Sequence, residues 1–515
     1  MSQRVPRFAV SAAVVLSALS FSASCVQSAE SSLLVRVDNA GTPFLRDSPV
    51  LVTVSPNGDG YRDAVVIRYS VTADSWVRFD VARRGAVNHS FWSQKVAVGE
   101  HVYRWSPPAR PAPAAYFVHV STEHASRTVV VHVQGIDAAA GRAAYRPGDI
   151  ARLTVSTDAR GLRVDVIGIT GAAPTTRRND KVQGVPMGPS FHVAWSEHRN
   201  GPHALAVPLG HWRSGVYFVR LRADDGRIGY APFVLRPQRL GRSRVAVVLP
   251  TNTWQAYNFY DRDGDGHGDT WYAGWRRHTM RMGRPYLNRG VPAHFNTYDL
   301  PFLRWAARRD LHADYLSDAD LASIGSGDQL AALYDFVVFP GHHEYVTASE
   351  YDIVSRFRDL GGNLAWLSAN NFFWKVVRHG PLVERVAQWR RLGRPEASLI
   401  GVQYHGNDEG QRRAPMVVAD AVPWLFGGTG LGRGDHFGLF GIEIDARAPS
   451  SPPATTVLAS APGLFGPGMD AEMTYYELPN GAKVFAAGAF TLAGLADSHV
   501  GAHMLDNLFA HLKQP

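Results

Sequence analysis

Val245-Ala246-Val247-Val248-Leu249-Pro250-Thr251-Asn252-Thr253-Trp254-Gln255-Ala256-Tyr257-Asn258 is the stretch on which the reading of this chain turns. Its first five residues are apolar without alternation, as in a strand covered on both faces. Downstream, Phe336-Val337-Val338-Phe339 and Asn363-Leu364-Ala365-Trp366-Leu367 repeat that pattern. Between and after them, Asp299–Arg309 and Thr347–Leu360 follow helical periodicity. The second helix opens with Thr347 and Glu350 in capping-box spacing and closes at Gly361-Gly362. Strands alternating with helices predict a parallel α/β sheet, and such sheets hold ligands beyond the carboxyl ends of their strands. The loops after Leu249, Phe339 and Leu367 are therefore the candidate site.

Those loops contain Thr251–Asn258, Pro340-Gly341-His342-His343-Glu344-Tyr345 and Ser368-Ala369-Asn370-Asn371-Phe372-Phe373-Trp374. Ahead of the Asp299 helix lies Asn296-Thr297-Tyr298-Asp299-Leu300-Pro301-Phe302-Leu303. In this order the TNTWQAYN, TYDLPFL, PGHHEY and GGNLAWLSANNFFW segments resemble the C-terminal domain of the N,N-dimethylformamidase β (large) subunit, over roughly residues 244–515. The resemblance implies a glutamine-amidotransferase-like, flavodoxin-type α/β layer without a cysteine nucleophile. It also implies a mononuclear iron (Fe3+) held by Tyr257, Tyr298 and Glu344, with His342 as proton shuttle. Phenolate and carboxylate oxygens are hard donors that suit a ferric ion. Asn370 stands at the strand-to-helix turn, where it could orient a substrate amide. The alternative for the same residues is ordinary: half-buried tyrosines, and a glutamate capping the next helix.

Directly after Tyr257 runs Asp261-Arg262-Asp263-Gly264-Asp265-Gly266-His267-Gly268-Asp269. Asp261, Asp263, Asp265 and Asp269 match the first part of a Ca2+ loop, although Tyr272 occupies the place of its last glutamate. The other reading is an acidic loop without an ion.

Working toward the N-terminus, Pro237–Ser243 is an Arg-rich connector. Residues 136–237 and 48–134 each read as short β-branched strands separated by turns, which predicts two β-sandwich modules. Ser55-Pro56-Asn57-Gly58-Asp59-Gly60-Tyr61-Arg62-Asp63 resembles the opening of FlgD-like immunoglobulin modules. Asn57, Asp59 and Asp63 could hold calcium, or form a glycine-rich turn with Asx hydrogen bonds. Residues 1–29 read as an export signal: Arg4 and Arg7, then the apolar run Phe8–Phe21, then small residues. Cys25 is the sole cysteine, and its position is compatible with a lipoprotein anchor as well as with plain secretion.

The 515-residue chain is 45% hydrophobic and 19% charged, which excludes a disordered protein, and its 49 Gly and 32 Pro favour a turn-rich β architecture. The net charge of +8 rests on arginine, since lysine occurs only at Lys95, Lys181, Lys375, Lys483 and Lys513. The arginines are scattered, not gathered into the basic stripe of a nucleic-acid binder. The reading is thus an exported multidomain protein: two β-modules and an α/β domain hydrolysing a small-molecule or polymer amide. The competing reading is a non-catalytic cell-surface binding protein whose α/β domain is a degenerate enzyme stabilised by Ca2+.

Overall fold

The structure, a computed structural model, describes residues 33–45, 47–83, 89–106, 113–171, 179–262, 268–273 and 278–513. The expected export signal with Cys25, and Asp263 and Asp265 of the acidic loop, lie outside these residues. The protein is mostly β, with 41% strand against 17% helix.

The first sandwich packs the three-stranded sheet Leu33–Asp38, Val65–Val71 and Gly99–Trp105 against a five-stranded sheet that includes Ser75–Arg83, Ala114–Ser121 and Ser126–Val133. It reaches further back than residue 48, because Leu33–Asp38 pairs antiparallel with Val65–Val71. Between the sheets lie Val54, Ile67, Val77, Phe79, Val118 and Val131, all buried. The second sandwich faces Ile150–Ser156 and its neighbours toward a sheet built on Gly161–Gly168, Gly215–Ala223 and Ile228–Leu235. Alternation along Ile150–Ser156 turns Ala151, Leu153 and Val155 inward, as period-two patterning requires.

The turn at Ser55–Asp63 joins the two modules. Asp63 accepts the amides of Asn57, Gly58 and Gly60, and Asn57 Oδ1 accepts the amide of Asp59. The bond from Asp59 to Asn57 is an Asx turn, and Asp63 closes the loop by accepting the preceding amides. Across the joint, Asn57 Nδ2 donates to Asp225 at 2.8 Å, Asp59 pairs with Arg199 at 2.7 Å, and Arg227 donates to Ser55 Oγ at 2.7 Å.

In the C-terminal domain five parallel strands stand in the spatial order Asp314–Ser317, Val245–Leu249, Phe336–Phe339, Asn363–Trp366, Lys483–Ala486. Numbered along the chain this is 2-1-3-4-5, a doubly wound order. Each inner strand is buried on both faces. Val245, Val247 and Leu249 enter one core with Phe302, Trp305 and Phe509, while Ala246 and Val248 enter another with Tyr351, Val354 and Phe357. Beyond Lys483–Ala486 the sheet continues through antiparallel strands, among them Ala471–Glu477, Thr456–Ala461, Arg413–Val418 and His436–Ala446. A purely parallel layer was the expectation, and this half departs from it. Here the chain returns by hairpins, not by helical crossovers.

The second sandwich does not stand apart from this domain. Ile167, Val216, Phe218, Tyr230 and Val234 share the core that contains Val247 and Phe302. Gly290 passes so close to the Tyr230 backbone that a Cβ there would lie 1.7 Å from the Tyr230 carbonyl oxygen. Among the described residues no helix is long and apolar enough to cross a membrane.

Candidate active site

The first strand, Val245–Leu249, runs into a short helix, Thr251–Ala256, whose six residues are all buried. Asp318 fixes its start, accepting from Thr251 Oγ1 at 2.9 Å and from the Asn252 amide at 2.6 Å. Asn252 Nδ2 donates to the Tyr345 carbonyl at 3.1 Å, tying this helix to the segment after Phe339. Tyr257 is the residue at the helix end. The segment Gly341–Glu344 leaves the third strand alongside it, and the Glu344 amide donates to Thr253 Oγ1 at 3.1 Å. Gly341 is required by contact: a Cβ would meet Asp299 Oδ1 at 2.5 Å and Pro250 Cγ at 2.9 Å.

Glu344 is the centre of the site. Its Oε2 accepts from Tyr257 Oη at 2.8 Å and from Tyr272 Oη at 3.1 Å. Tyr272 also hydrogen-bonds the hydroxyl of Tyr345. His342 Nε2 lies 3.6 Å from Glu344 Oε2 and 3.2 Å from Glu443 Oε2, the latter without hydrogen-bond alignment. The Asn370 amide donates to Asp445 at 2.8 Å, and its side chain lies against Glu443. Asn370 holds φ at 52°, a left-handed turn that asparagine tolerates.

Burial dominates the electrostatics. It pushes the Glu344 carboxyl up to about 7, although the hydroxyls of Tyr257, Tyr345 and Tyr272 oppose the shift. Burial, and then the charge of Glu344, raise Glu443 well above the carboxylate range. Burial lowers His342 to about 3, so the imidazole is neutral at neutral pH. Tyr298 is raised by burial and by Glu443, with Arg413 pulling the other way.

Above these groups opens a cleft of ≈ 460 Å3, lined by Trp254, Tyr257, Tyr298, His342, Glu443 and Phe490 among others. Tyr298 stacks on His294 with ring centroids 5.0 Å apart and meets Phe490 at 5.1 Å. The expected residues Tyr257, His342 and Glu344 are thus in mutual contact. Tyr298 stands on the same wall, and Asn370 sits beside Glu443. Thr347, not Glu344, caps the following helix.

Three participants were not anticipated. Tyr345 adjoins Glu344 in sequence. Tyr272 stands where a calcium loop would carry its last glutamate. Glu443 comes from the antiparallel strand His436–Ala446, where Glu443 and Asp445 alternate with Ile442 and Ile444, and both acids are buried. In sequence the isoleucines read as the buried face and the acids as the exposed one, so nothing there marked Glu443.

Among the described residues, no three His, Cys, Asp or Glu side chains gather as a metal would need. Any metal at Glu344 would therefore draw on tyrosine oxygens. The donor chemistry fits that demand: Tyr257 Oη is already on Glu344, and Glu443 Oε2 and His342 Nε2 are buried without a hydrogen-bond partner. Of the acidic loop, Asp261 and Asp269 are described, and Asp269 accepts the Arg262 amide at 2.8 Å.

A family model described as N,N-dimethylformamidase beta subunit-like, C-terminal, matches residues 186–502. The match begins inside the second sandwich, earlier than residue 244, in accord with the core the two share. Among solved structures, Salmonella alpha-2-macroglobulin reacted with methylamine is similar at 8% identity and TM-score 0.21, over 41% of this chain and 17% of that chain. The Yersinia pseudotuberculosis adhesin InvE is similar at 13% identity and TM-score 0.15, over 40% of this chain and 59% of that chain. Likenesses this remote carry no inference. No curated protein matches the sequence.

Proposed function

The chain belongs to the N,N-dimethylformamidase beta subunit-like C-terminal family, and from that premise we propose that it is a metal-dependent hydrolase of a C–N amide-type bond, exported from the cell. The observation that carries this reading is the convergence of Tyr257, His342 and Glu344, from two different strand ends, beneath one cleft. The 2-1-3-4-5 strand order supports a flavodoxin-type, glutamine-amidotransferase-like layer.

Tyr257, Tyr298 and Glu344 would hold a ferric ion, which supplies Lewis acidity toward an amide carbonyl and acidity to a bound water. The remaining work falls to the protein. Two buried carboxyls, Glu344 and Glu443, repel one another, so the site favours a cation or a retained proton. His342 faces both carboxyls and is placed to relay a proton from water to the departing amine, drawing basicity from their charge when they are ionised. Trp254, Tyr298 and Phe490 give the cleft its aromatic wall, and Asn370 holds Glu443 in place.

The test is hydrolysis of a library of small and peptide-like amides by the full chain and by His342→Ala. Release of amine that falls at least about a hundredfold in the variant, with folding unchanged, supports the reading. If no member of the library is cleaved by metal-loaded protein, the competing reading, a cell-surface binding protein, takes its place.

A further inference from the structure

A second cleft, ≈ 710 Å3 against ≈ 460 Å3 for the first, opens between the second sandwich and the C-terminal domain. Its sandwich wall includes Ala138–Ala140, Gly141, Ala143 and Ala144, small residues that leave the space wide. Opposite stands the helix Thr251–Ala256, and its Trp254 lines both clefts. Clefts between domains are where small ligands preferentially bind.

The charge in this cleft is one-sided. Arg142, Arg146, Arg236, Arg284 and Arg378 line it, and Asp149 and Asp320 are the only acids there among the described residues. Those two acids are engaged: Asp149 with Arg142 at 3.0 Å, and Asp320 with Arg236 at 3.5 Å. Arg284 is spent on the carbonyls of Gln255, Asn258 and Arg281. Arg146 is unengaged, and Arg378 is engaged only in part. The exposed Arg146 side chain has no partner among the described residues. Arg378 bonds Asn252 Oδ1 and faces the buried carboxyls of Asp318 and Glu350 on its inner side. It still lines the cleft, and no carboxylate is bonded to it among the described residues.

We propose that this cleft is a second ligand site, taking a small organic anion that carries two carboxylate or phosphate groups, one met by Arg146 and one by Arg378. Guanidinium forks match both groups geometrically. The size of the cleft suits a metabolite-sized molecule, not a single inorganic ion. Arg378 is one residue removed from the first site, since Asn252 also donates to the Tyr345 carbonyl next to Glu344. The proposal does not rest on the amidase reading.

The experiment is calorimetric titration of the full chain at fixed ionic strength with glutarate and with 3-phosphoglycerate, beside acetate as a single-charge control. The two compounds separate a dicarboxylate from a phosphate-bearing ligand. The expected result is saturable binding of one of them, at least about tenfold tighter than acetate, and about tenfold weaker in Arg146→Gln. Arg413→Gln, at the mouth of the first cleft, and Arg68→Gln, on the first sandwich, should leave it unchanged. The proposal is overturned if neither compound saturates. It is also overturned if Arg413→Gln abolishes binding, which would place the anion in the first cleft. Equal weakening by Arg68→Gln and Arg146→Gln would overturn it too, since that is general charge attraction. Arg146 is exposed, and an unchanged melting temperature confirms that its variant folds.

Discussion

At the scale of the residue, the site depends on close approaches that leave no slack. Gly341 shows it: any side chain there must push Asp299 or Pro250, both of which border the first cleft. Gly341→Ala should destabilise the protein by about 1–3 kcal/mol, the usual cost of overpacking, and thermal unfolding would register it. Tyr272 is a subtler case. Its hydroxyl holds Glu344 and Tyr345 together. Tyr272→Phe should leave the fold intact and weaken metal retention in equilibrium dialysis by about tenfold, because one hydrogen bond orienting Glu344 is lost. Unchanged retention would make Tyr272 a wall residue only. The loops that hold Tyr257, His342 and Glu344 were legible as the ends of parallel strands, and the family's motifs singled out the three residues within them. Glu443 was not, because its strand enters the site from the antiparallel half, and nothing local marks a buried glutamate's partner.

At the scale of the element, the helix Ala348–Asp359 carries both halves of its capping box. Thr347 Oγ1 accepts the Glu350 amide, and Glu350 accepts the Thr347 amide. Thr347→Ala should cost about 0.5–2 kcal/mol, measurable by denaturant titration. This helix and the inner parallel strands could be read from sequence because cap, periodicity and unbroken apolar runs each point to one structure. The antiparallel strands could not. Two of their pairings, Gln403–Asn407 with His436–Ala446 and Arg413–Val418 with Thr456–Ala461, skip an intervening strand, and register shifts interrupt His436–Ala446 where it meets Arg413–Val418. The acidic stretch at Asp261–Asp269 read as a calcium loop, and its central residues lie outside those described.

At the scale of the whole molecule, the three units are joined by two different kinds of contact. The second sandwich shares an apolar core with the C-terminal domain, whereas the first is fastened to the second by polar bonds at Ser55–Asp63. Within that joint, burial would raise the Asp225 carboxyl, but hydrogen bonds and charge from Arg227 outweigh it and hold its pKa below the ordinary aspartate value. A carboxyl depressed on folding contributes stability above its unfolded pKa, and loses it as pH falls through the depressed value. Asp225 also accepts from Asn57 and orients the Arg227 that donates to Ser55, so acid should loosen this joint. Limited proteolysis between the sandwiches should accelerate below about pH 4 in the native protein. In Asp225→Asn the joint should be weaker at pH 7 and less sensitive to acid. Equal acid sensitivity in both proteins would contradict this account. The motif that read as a module opening thus also serves as the joint, a role that needs Asp225, Arg199 and Arg227 from the other module and so could not be seen in the motif itself.

The central claim is that Tyr257, Tyr298 and Glu344 form a metal site at the mouth of the parallel sheet. The measurement that tests it most directly is metal content together with the visible spectrum of the full chain purified without chelator, beside Tyr298→Phe. The account predicts about one iron per chain and a phenolate-to-iron charge-transfer band that Tyr298→Phe weakens or shifts. A colourless, iron-free protein after loading with iron, or a band indifferent to Tyr298→Phe, would contradict it.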